Sequence, residues 1–395
     1  MNICTIDLCR RIPARNVLVL LVLSLTTWCC GAAEARKTGP EPAPDVLVLS
    51  NGDTLHGKLV KEVGGKVTFH TEAFGDVDVD WDHVKEIHST QSFGVLSTTQ
   101  KPHGRRPTGQ IPTGTLDVTD QGITVHGENA SPTPIPVKDA QVVVDAATLD
   151  KEIRHEPSFF AGWNGAATAG ASIGQATQNQ TTFSGGIGLV RTVPSVSWLD
   201  PRNRTLFDFT GSYGKLSQPG TPTVKSSIYH ADAERDLYFS PRMFALVQTA
   251  FDHNFAQDLQ LQQIYGGGLG LTVYKTPKAE ADVKATMQYE KQQFITGTAG
   301  TDQNLIGSTF AAAYVLSLKT LSFTQGLAYI PAYNTPRAYS ANETNTLAIT
   351  AHKNFGFSIG TIDSYLNNPP ATIPPTKRNS FQFTMGLTYA IKSKY

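Results

Sequence analysis

Cysteine is confined to the start of the chain. The four cysteines of this 395-residue sequence are Cys4, Cys9, Cys29 and Cys30. If residues 1–35 are removed on export, the mature chain contains no thiol. Such a chain cannot form disulfides, thiolate metal sites or a cysteine nucleophile.

The sequence also lacks net charge and long apolar runs. Lysine plus arginine number 33, and aspartate plus glutamate number 33, so no electrostatic attraction to nucleic acid is expected. Beyond the N-terminal region, no segment approaches the roughly 20 apolar residues that a spanning helix needs. Helical membrane topology is therefore excluded for the mature chain. A transmembrane β-barrel is not excluded, because its strands are only half apolar.

Residues 1–35 are predicted to be a secretory signal peptide. Arg10, Arg11 and Arg15 precede the apolar core 17–25, and Ala33-Glu34-Ala35 is a suitable small-residue cleavage site. Lipidation of Cys29 or Cys30 and a twin-arginine signal are alternatives, which the bulky Trp28 and Pro13 disfavour. Residues 36–44 are rich in proline and polar residues and are interpreted as a linker.

Residues 45–90 are predicted to form a compact β module. Short apolar runs are separated by the turns Asn51-Gly52-Asp53 and Gly64-Gly65. Together with Val79-Asp80-Trp81-Asp82-His83-Val84, the first turn resembles the SH3-like domain that often precedes outer-membrane domains of exported bacterial proteins. Residues 91–150 are interpreted as a second, degenerate β module. Its histidines and those of the first module are predicted to be surface residues.

Residues 158–395 are predicted to be a membrane β-barrel. About twelve strand-length segments alternate apolar and polar residues, as the strands of outer-membrane barrels do. They begin near Phe160, Thr181, Thr205, Ser227, Met243, Gln263, Ala279, Ile306, Leu321, Thr344, Phe355 and Ser380. Short turns such as 240–242 alternate with long polar loops such as 369–378. The fold class is therefore all-β: a transmembrane antiparallel barrel preceded by SH3-like β modules.

The hairpin 263–294 shows the pattern most clearly. On its first strand Tyr265, Leu269 and Leu271 alternate with Gly266, Gly268, Gly270 and Thr272. The glycines are predicted to face the lumen, where they would either admit a bulky residue from across it or allow strong strand curvature. Trp163 and Trp198 are expected in the aromatic belt at the membrane interface.

The last strand ends on a pattern that resembles the signal read by the barrel-assembly machinery. Leu387, Tyr389 and Ile391 share one face, and the chain ends at the aromatic Tyr395. The barrel-assembly machinery is therefore an expected partner, together with the lipid of the outer membrane.

Three segments give a resemblance to one family. They are Tyr238-Phe239-Ser240-Pro241-Arg242-Met243-Phe244-Ala245, Phe251-Asp252-His253-Asn254-Phe255-Ala256-Gln257-Asp258-Leu259 and Tyr265-Gly266-Gly267-Gly268-Leu269-Gly270. They resemble the salt-induced outer membrane protein (YdiY-like) family, domain of unknown function 481. Gln262 and Gln263 stand where the family pattern has a basic residue. The resemblance implies an outer-membrane barrel and no catalytic residues.

An acidic patch is predicted inside the lumen. His230, Asp232, Glu234 and Asp236 share one strand face, and Asp208 and Asp252 have the same inward parity. This patch either attracts cations or is the hydrogen-bonded polar filling of a barrel. No metal and no cofactor is predicted. Arg235, which alternation turns outward, and Arg242 are expected to neutralise part of the patch.

The predicted function is an integral outer-membrane barrel of a Gram-negative envelope, as a narrow channel or a structural barrel linked to osmotic adaptation. Its N-terminal module would lie in the periplasm with a possible periplasmic partner. The alternative is a periplasmic or secreted all-β binding protein whose apolar faces pack on each other. An outer-membrane hydrolase is a minor alternative, since His253-Asn254 has no serine motif beside it. The protein is therefore predicted not to be an enzyme.

Overall fold

The computed structural model describes residues 44–98, 110–127, 134–155, 157–175, 179–217, 220, 222–295, 302–335, 337–369 and 378–393. The predicted signal peptide, almost all of the linker and Tyr395 lie outside these residues. The N-terminal strands are β1 Asp45–Leu49, β2 Thr54–Val63, β3 Lys66–Thr71, β4 Gly75–Asp80, β5 Val84–Ser97, β6 Thr113–Thr119, β7 Gly122–His126 and β8 Ala140–Asp145, followed by helix α1 Ala146–Arg154.

The N-terminal strands form one sheet that closes into a small barrel. The order is β4-β3-β2-β1-β5-β6-β7, and β8 closes the ring by pairing with both β2 and β5. The boundary predicted near residue 90 falls within β5, which pairs with strands of both predicted modules. Leu47, Phe69, Ile87 and Phe93 fill the core, and the partly buried Trp81 packs at its margin.

Asp45 on β1 connects this strand to β2 and β5 of the small barrel through hydrogen bonds. Its buried carboxylate accepts hydrogen bonds from the Leu59 backbone N–H at 2.8 Å, the Ser89 hydroxyl at 2.6 Å and the Gln91 amide at 3.0 Å. Buried carboxylates are stable only when hydrogen-bonded in this way. The first residue of β1 therefore fixes the positions of β2 and β5.

Glu62 is a buried carboxyl group with few partners. One oxygen accepts a hydrogen bond from the Gly65 N–H at 3.0 Å, and the other has no partner among the described residues. Burial raises the pKa of Glu62 from 4.5 to about 7, and the Gly65 hydrogen bond opposes the shift. The folded module therefore holds this proton more tightly than the unfolded chain does.

The small barrel is expected to lose stability as the pH rises from about 4.5 to about 7. The folded state binds more protons than the unfolded state throughout that window, so unfolding becomes easier as protons are removed. Glu62→Gln should stabilise β2 and β8 by about 2–3 kcal/mol at pH 8 and change little at pH 4. Hydrogen exchange of their amides measures this, with the exposed Glu72→Gln as control. Parallel pH profiles for wild type and Glu62→Gln would contradict it.

Helix α1 attaches the small barrel to the large one. The helix, absent from the sequence-based prediction, begins at Asp145, whose carboxylate caps the Thr148 N–H at 3.0 Å. Leu149 and Ile153 pack with Leu199 from the barrel link 194–202. Arg202 donates to the Ile153 carbonyl at 2.9 Å. Trp198 is partly buried against the same cluster, and its place in the aromatic belt at the membrane interface stays a prediction.

The second half of the chain is a closed antiparallel barrel of twelve strands, as predicted. They are β9 Trp163–Gln175, β10 Asn179–Val193, β11 Asn203–Ser217, β12 Val224–Tyr238, β13 Met243–Asn254, β14 Leu259–Lys275, β15 Ala279–Phe294, β16 Gln303–Ser317, β17 Leu321–Pro331, β18 Tyr339–His352, β19 Phe355–Leu366 and β20 Asn379–Ile391. The twelve predicted starts lie within a few residues of these.

The two ends of the barrel differ in their connections. The short-turn end carries the links 194–202, 239–242, 276–278, 318–320 and 353–354, and the long-loop end carries 176–178, 218–223, 255–258, 295–302, 332–338 and 367–378. Four of the five links at the first end have two to four residues, and four of the six at the second have six or more. Short turns at one end and longer loops at the other are typical of outer-membrane barrels. The long link at the short-turn end, 194–202, contacts α1.

The outward face of the barrel is apolar and uncovered. On β20, Phe381, Phe383, Met385 and Leu387 are each more than half exposed. Soluble proteins rarely expose large apolar patches. The soluble alternative requires these faces to pack on each other, which they do not do here. No helix among the described residues is long and apolar enough to cross a membrane.

One inward glycine of β14, Gly270, admits a large side chain, which comes from the neighbouring strand and not from across the lumen. A Cβ on Gly270 would lie 2.2 Å from the ring of Phe244. Phe244 is fully buried and pairs directly with Gly270 on the neighbouring strand β13. The glycine thus lets an aromatic ring lie flat along the lumen wall.

Candidate functional site

The lumen has two unlike walls. Strands β11 to β15 turn long charged and amide side chains inward, among them Arg204, His230, Lys284 and Glu290. Inward positions on the other strands are mostly alanine, glycine, serine or threonine. Thr324, Thr344 and Thr346 point inward and are nevertheless exposed. Water therefore reaches the space between the charged wall and the small-residue wall.

Arg204 is the centre of a buried charge cluster near the short-turn end. Its guanidinium donates to Asp236 at 2.7 Å, to Glu280 at 2.5 Å and to Asp282 at 2.6 Å. It also lies over the ring of Phe244, 5.2 Å from the centroid. Asp236 has no solvent exposure. A planar guanidinium with several donors suits such multiple carboxylate contacts, which a lysine could not reproduce.

Two further contacts organise the middle of the charged wall. Lys284 from β15 forms a salt bridge with Glu234 on β12. His230 lies between two carboxylates, with Nδ1 2.6 Å from Asp252 and Nε2 3.0 Å from Asp232. Carboxylates only accept, so a ring that makes both hydrogen bonds donates from both nitrogens and carries a positive charge.

Among the described residues, one group has metal-ligand geometry. Asp208, His230 and Asp232 place one ligand atom each within 4.8 Å of one another. A ligating histidine must present a free nitrogen lone pair. Metal binding would therefore require His230 to give up a proton and a carboxylate contact. The expectation that no metal binds here stays a prediction.

Apolar side chains meet across the barrel near its long-loop end. Leu259, Phe294 and Leu366 form a buried cluster that joins β14 and β15 to β19 on the far side of the barrel. The short 3-10 helix Phe255–Gln257 reaches the same side, where the Gln257 amide donates to the carbonyls of Ser364 at 3.0 Å and Arg378 at 2.9 Å. The apolar cluster and these hydrogen bonds connect opposite sides of the barrel near its long-loop end.

A serine and a histidine meet on the outward face near the long-loop end. The Ser227 hydroxyl lies 2.8 Å from His253 Nε2, and His253 Nδ1 lies 2.7 Å from the Gln260 carbonyl oxygen. The imidazole stacks on Tyr229, with centroids 5.7 Å apart. No serine motif flanks His253 in the sequence, and Ser227 reaches it only through the pairing of β12 with β13. Asn254 instead caps the 3-10 helix.

Two carboxylates, Glu343 and Asp363, also line a cavity of about 590 Å³ that spans β15 to β20. The lining of this cavity includes the lumen-facing Lys284, Ala311 and Asn342 as well as residues of the opposite parity. Glu343 and Asp363 are directly paired across β18 and β19. They belong to the lipid-facing parity, so they contribute nothing to the charge of the lumen.

The structure brings the predicted acidic residues together on one wall. Asp208 pairs with Asp232, and His230 pairs with Asp252. The partners of the other acids were missed: Arg204 and Lys284 neutralise Asp236 and Glu234, whereas Arg235 bonds Thr205 on the outward face. The sequence did contain a signal for Arg204: it lies four residues before Asp208 on the same strand, so both side chains are expected on the inward face. Leu387 and Tyr389 face outward as predicted.

The histidines of the small barrel are exposed, and two of them converge. His88 Nδ1 lies 2.7 Å and His126 Nε2 lies 3.0 Å from opposite oxygens of Asp117. Pairing of β5 with β6, and of β6 with β7, produces this contact. The convergence of His88 and His126 on Asp117 could not be predicted from their spacing in the sequence.

Comparisons with known proteins give one family. A family model described as a protein of unknown function, DUF481, matches residues 167–391, which is most of the twelve-stranded barrel. A solved structure described as a bacterial polysaccharide outer membrane secretin aligns over 60% of this chain and 100% of its own, at 9% identity and a TM-score of 0.27. A likeness this remote says nothing about activity. No curated protein matches the chain.

Proposed function

Because the chain belongs to the DUF481 family, we propose that it is an integral outer-membrane barrel with a narrow, cation-preferring lumen that is gated at the long-loop end. The observation that carries this is the closed twelve-stranded barrel with an uncovered apolar exterior and a hydrated, acidic interior. Twelve strands give a lumen between the filled eight-stranded case and the open porins.

The orientation follows from the same geometry. Outer-membrane barrels place short turns in the periplasm and long loops outside the cell. The small N-terminal barrel is attached at the short-turn end and would therefore be periplasmic. The resemblance of the small barrel to SH3-like domains supports a periplasmic partner. The predicted signal peptide supports export, and the residue pattern of the last strand supports insertion by the barrel-assembly machinery.

The proposed physiological setting is salt or osmotic adaptation. It is supported by the resemblance to the salt-induced, YdiY-like proteins and by a lumen in which carboxylates outnumber cationic side chains. Rings of acidic side chains favour cations in channels. If expression and deletion phenotypes do not respond to external salt, this part of the proposal fails while the barrel assignment stands.

The test of the barrel itself is membrane retention. The full chain should stay with membranes after an alkaline carbonate wash and should migrate faster unheated than heated on a detergent gel. Release into the soluble fraction would contradict an integral barrel.

The test of selectivity is the reversal potential in planar bilayers under a potassium chloride gradient. We expect a cation preference that falls by roughly half or more when Asp208, Asp232 and Asp252 are changed together to asparagine. Glu234 and Asp236 are left intact because their removal would strand Lys284 and Arg204. Glu343→Gln with Asp363→Asn, on the lipid-facing wall, is the matched control. Anion-selective wild-type openings would refute the proposal.

A further inference from the structure

We propose that Ser227 and His253 form a nucleophile–base pair that hydrolyses carboxylic esters of anionic, phosphate-bearing amphiphiles at the membrane surface. The proposal is independent of the lumen, since both side chains lie on the outward face. It starts from the arrangement of Ser227, His253 and the Gln260 carbonyl.

The hydrogen bonds set the tautomer that a general base needs. A carbonyl oxygen only accepts, so His253 Nδ1 must carry the proton and donate to Gln260. Nε2 is then left with its lone pair facing the Ser227 hydroxyl at 2.8 Å. A nucleophile within hydrogen-bond reach of a base, which is itself oriented by a third group, is the signature of covalent catalysis. Stacking on Tyr229 restrains the ring further.

The pair lies where a membrane ester would be. Ser227 is near the start of β12 and His253 is next to the end of β13, both at the long-loop end. Tyr213, Tyr229 and Tyr265 surround this level of the outward face and are each about two-fifths exposed. Tyrosine belts sit at the headgroup level of membranes. The substrate would thus reach Ser227 laterally from the bilayer.

Two lysines next to the pair supply the headgroup preference. Lys215 and Lys225 are exposed and directly paired across β11 and β12. Like charges directly opposite each other are destabilising unless an anion lies between them. The adjacent outward pair is Tyr213 with Ser227, so the lysines lie two residues, or roughly 7 Å, along the strands from the nucleophile. A phosphate a few bonds from an ester carbonyl spans that distance.

The reaction balances with water as the only co-reactant. Ser227 Oγ attacks the ester carbonyl carbon as its proton passes to His253 Nε2. The tetrahedral intermediate collapses, the C–O bond to the alcohol breaks, and Nε2 returns the proton to the leaving alkoxide. Water then attacks the acyl-serine by the same proton route and releases the carboxylic acid. Lys225, on a flexible stem, can reach the oxygen on which negative charge develops.

The experiment uses the full chain, purified in detergent and folded as judged by heat-modifiable migration. A fluorophosphonate probe should label Ser227, as located by peptide mass spectrometry. Mixed micelles of phosphatidylglycerol should release fatty acid. Ser227→Ala and His253→Ala should each lower the release at least about 100-fold. Ser226→Ala, its inward-facing neighbour, is the matched control and should stay within about twofold of wild type.

The headgroup preference has its own readout. Lys215→Gln with Lys225→Gln should lower the ratio of kcat/KM for phosphatidylglycerol over an uncharged diacylglycerol about tenfold, mainly through KM. Labelling of any other serine, no ester hydrolysis by the folded wild type, or full activity in a folded Ser227→Ala variant would each overturn the proposal. An unchanged ratio in the lysine variant would overturn the anionic substrate class. None of these outcomes depends on whether the lumen conducts ions.

Discussion

Arg204→Met is expected to destabilise the large barrel by about 3–5 kcal/mol, because removing one partner of a buried ion cluster leaves uncompensated charge. Arg204 holds Asp236, Glu280 and Asp282, of which Asp236 is fully buried. Without the guanidinium these carboxylates repel one another in a site that water reaches poorly. Urea unfolding in detergent micelles, followed by loss of heat-modifiable migration, measures the change.

Two further variants distinguish the effect of losing the Arg204 charge from the effect of losing its packing volume. Arg204→Met combined with Asp236→Asn and Asp282→Asn removes the repulsion and should recover most of the lost stability. Arg235→Met removes an arginine that faces outward and bonds only Thr205 among the described residues. This variant should therefore lower the free energy of unfolding only slightly. If the triple variant is no more stable than Arg204→Met, the loss comes from packing on Phe244 and not from the carboxylates.

Leu259→Ser with Phe294→Ser is expected to open the long-loop end and to raise the mean bilayer conductance by on the order of tenfold or more. The two side chains pair across β14 and β15 and close on Leu366. Apolar constrictions block ions because water leaves them, so hydroxyl groups at these positions should let water and ions pass.

Leu259→Met with Phe294→Leu is the matched control, because it keeps the constriction apolar. It should conduct like wild type. If the serine variant conducts no more than this control, the lumen is closed elsewhere along its length, and the charged wall would be a structural filling. Gln257→Ala, which frees the carbonyls of Ser364 and Arg378, should increase the frequency of openings without changing their size.

Local sequence patterns were sufficient for the strands of the large barrel. Period-two alternation depends only on which residues follow one another, and it correctly placed all twelve strands and the inward parity of Asp208, His230 and Asp252. The outward parity of Leu387 and Tyr389 on β20 was likewise correct, whereas their role as a signal for the barrel-assembly machinery stays a prediction. The closure of the sheet into a ring followed from counting strands and from the uncovered apolar face.

Contacts between strands far apart in sequence could not be derived in this way. Asp282 reaches Arg204 from β15, four strands away across the lumen. The alternation of apolar and polar residues shows which side chains face inward, but not which of them meet across the barrel. Ser227 meets His253 only because β12 and β13 pair in one register, and a shift of one residue would turn one of them inward. Helix α1 was missed because a nine-residue helix of about two and a half turns, directly after a strand, has too few repeats of the helical period to recognise.

Helix α1 docks on the link 194–202 through Leu149, Ile153 and Leu199, with Arg202 and Ser195 held by α1 through hydrogen bonds. A module on a flexible tether samples a volume, and its effective concentration at a target falls as the tether lengthens. Here the docking interface replaces that search by one fixed distance and angle. A partner bound by the small barrel, as proposed above, would therefore be held at one fixed position beside the short-turn end of the large barrel.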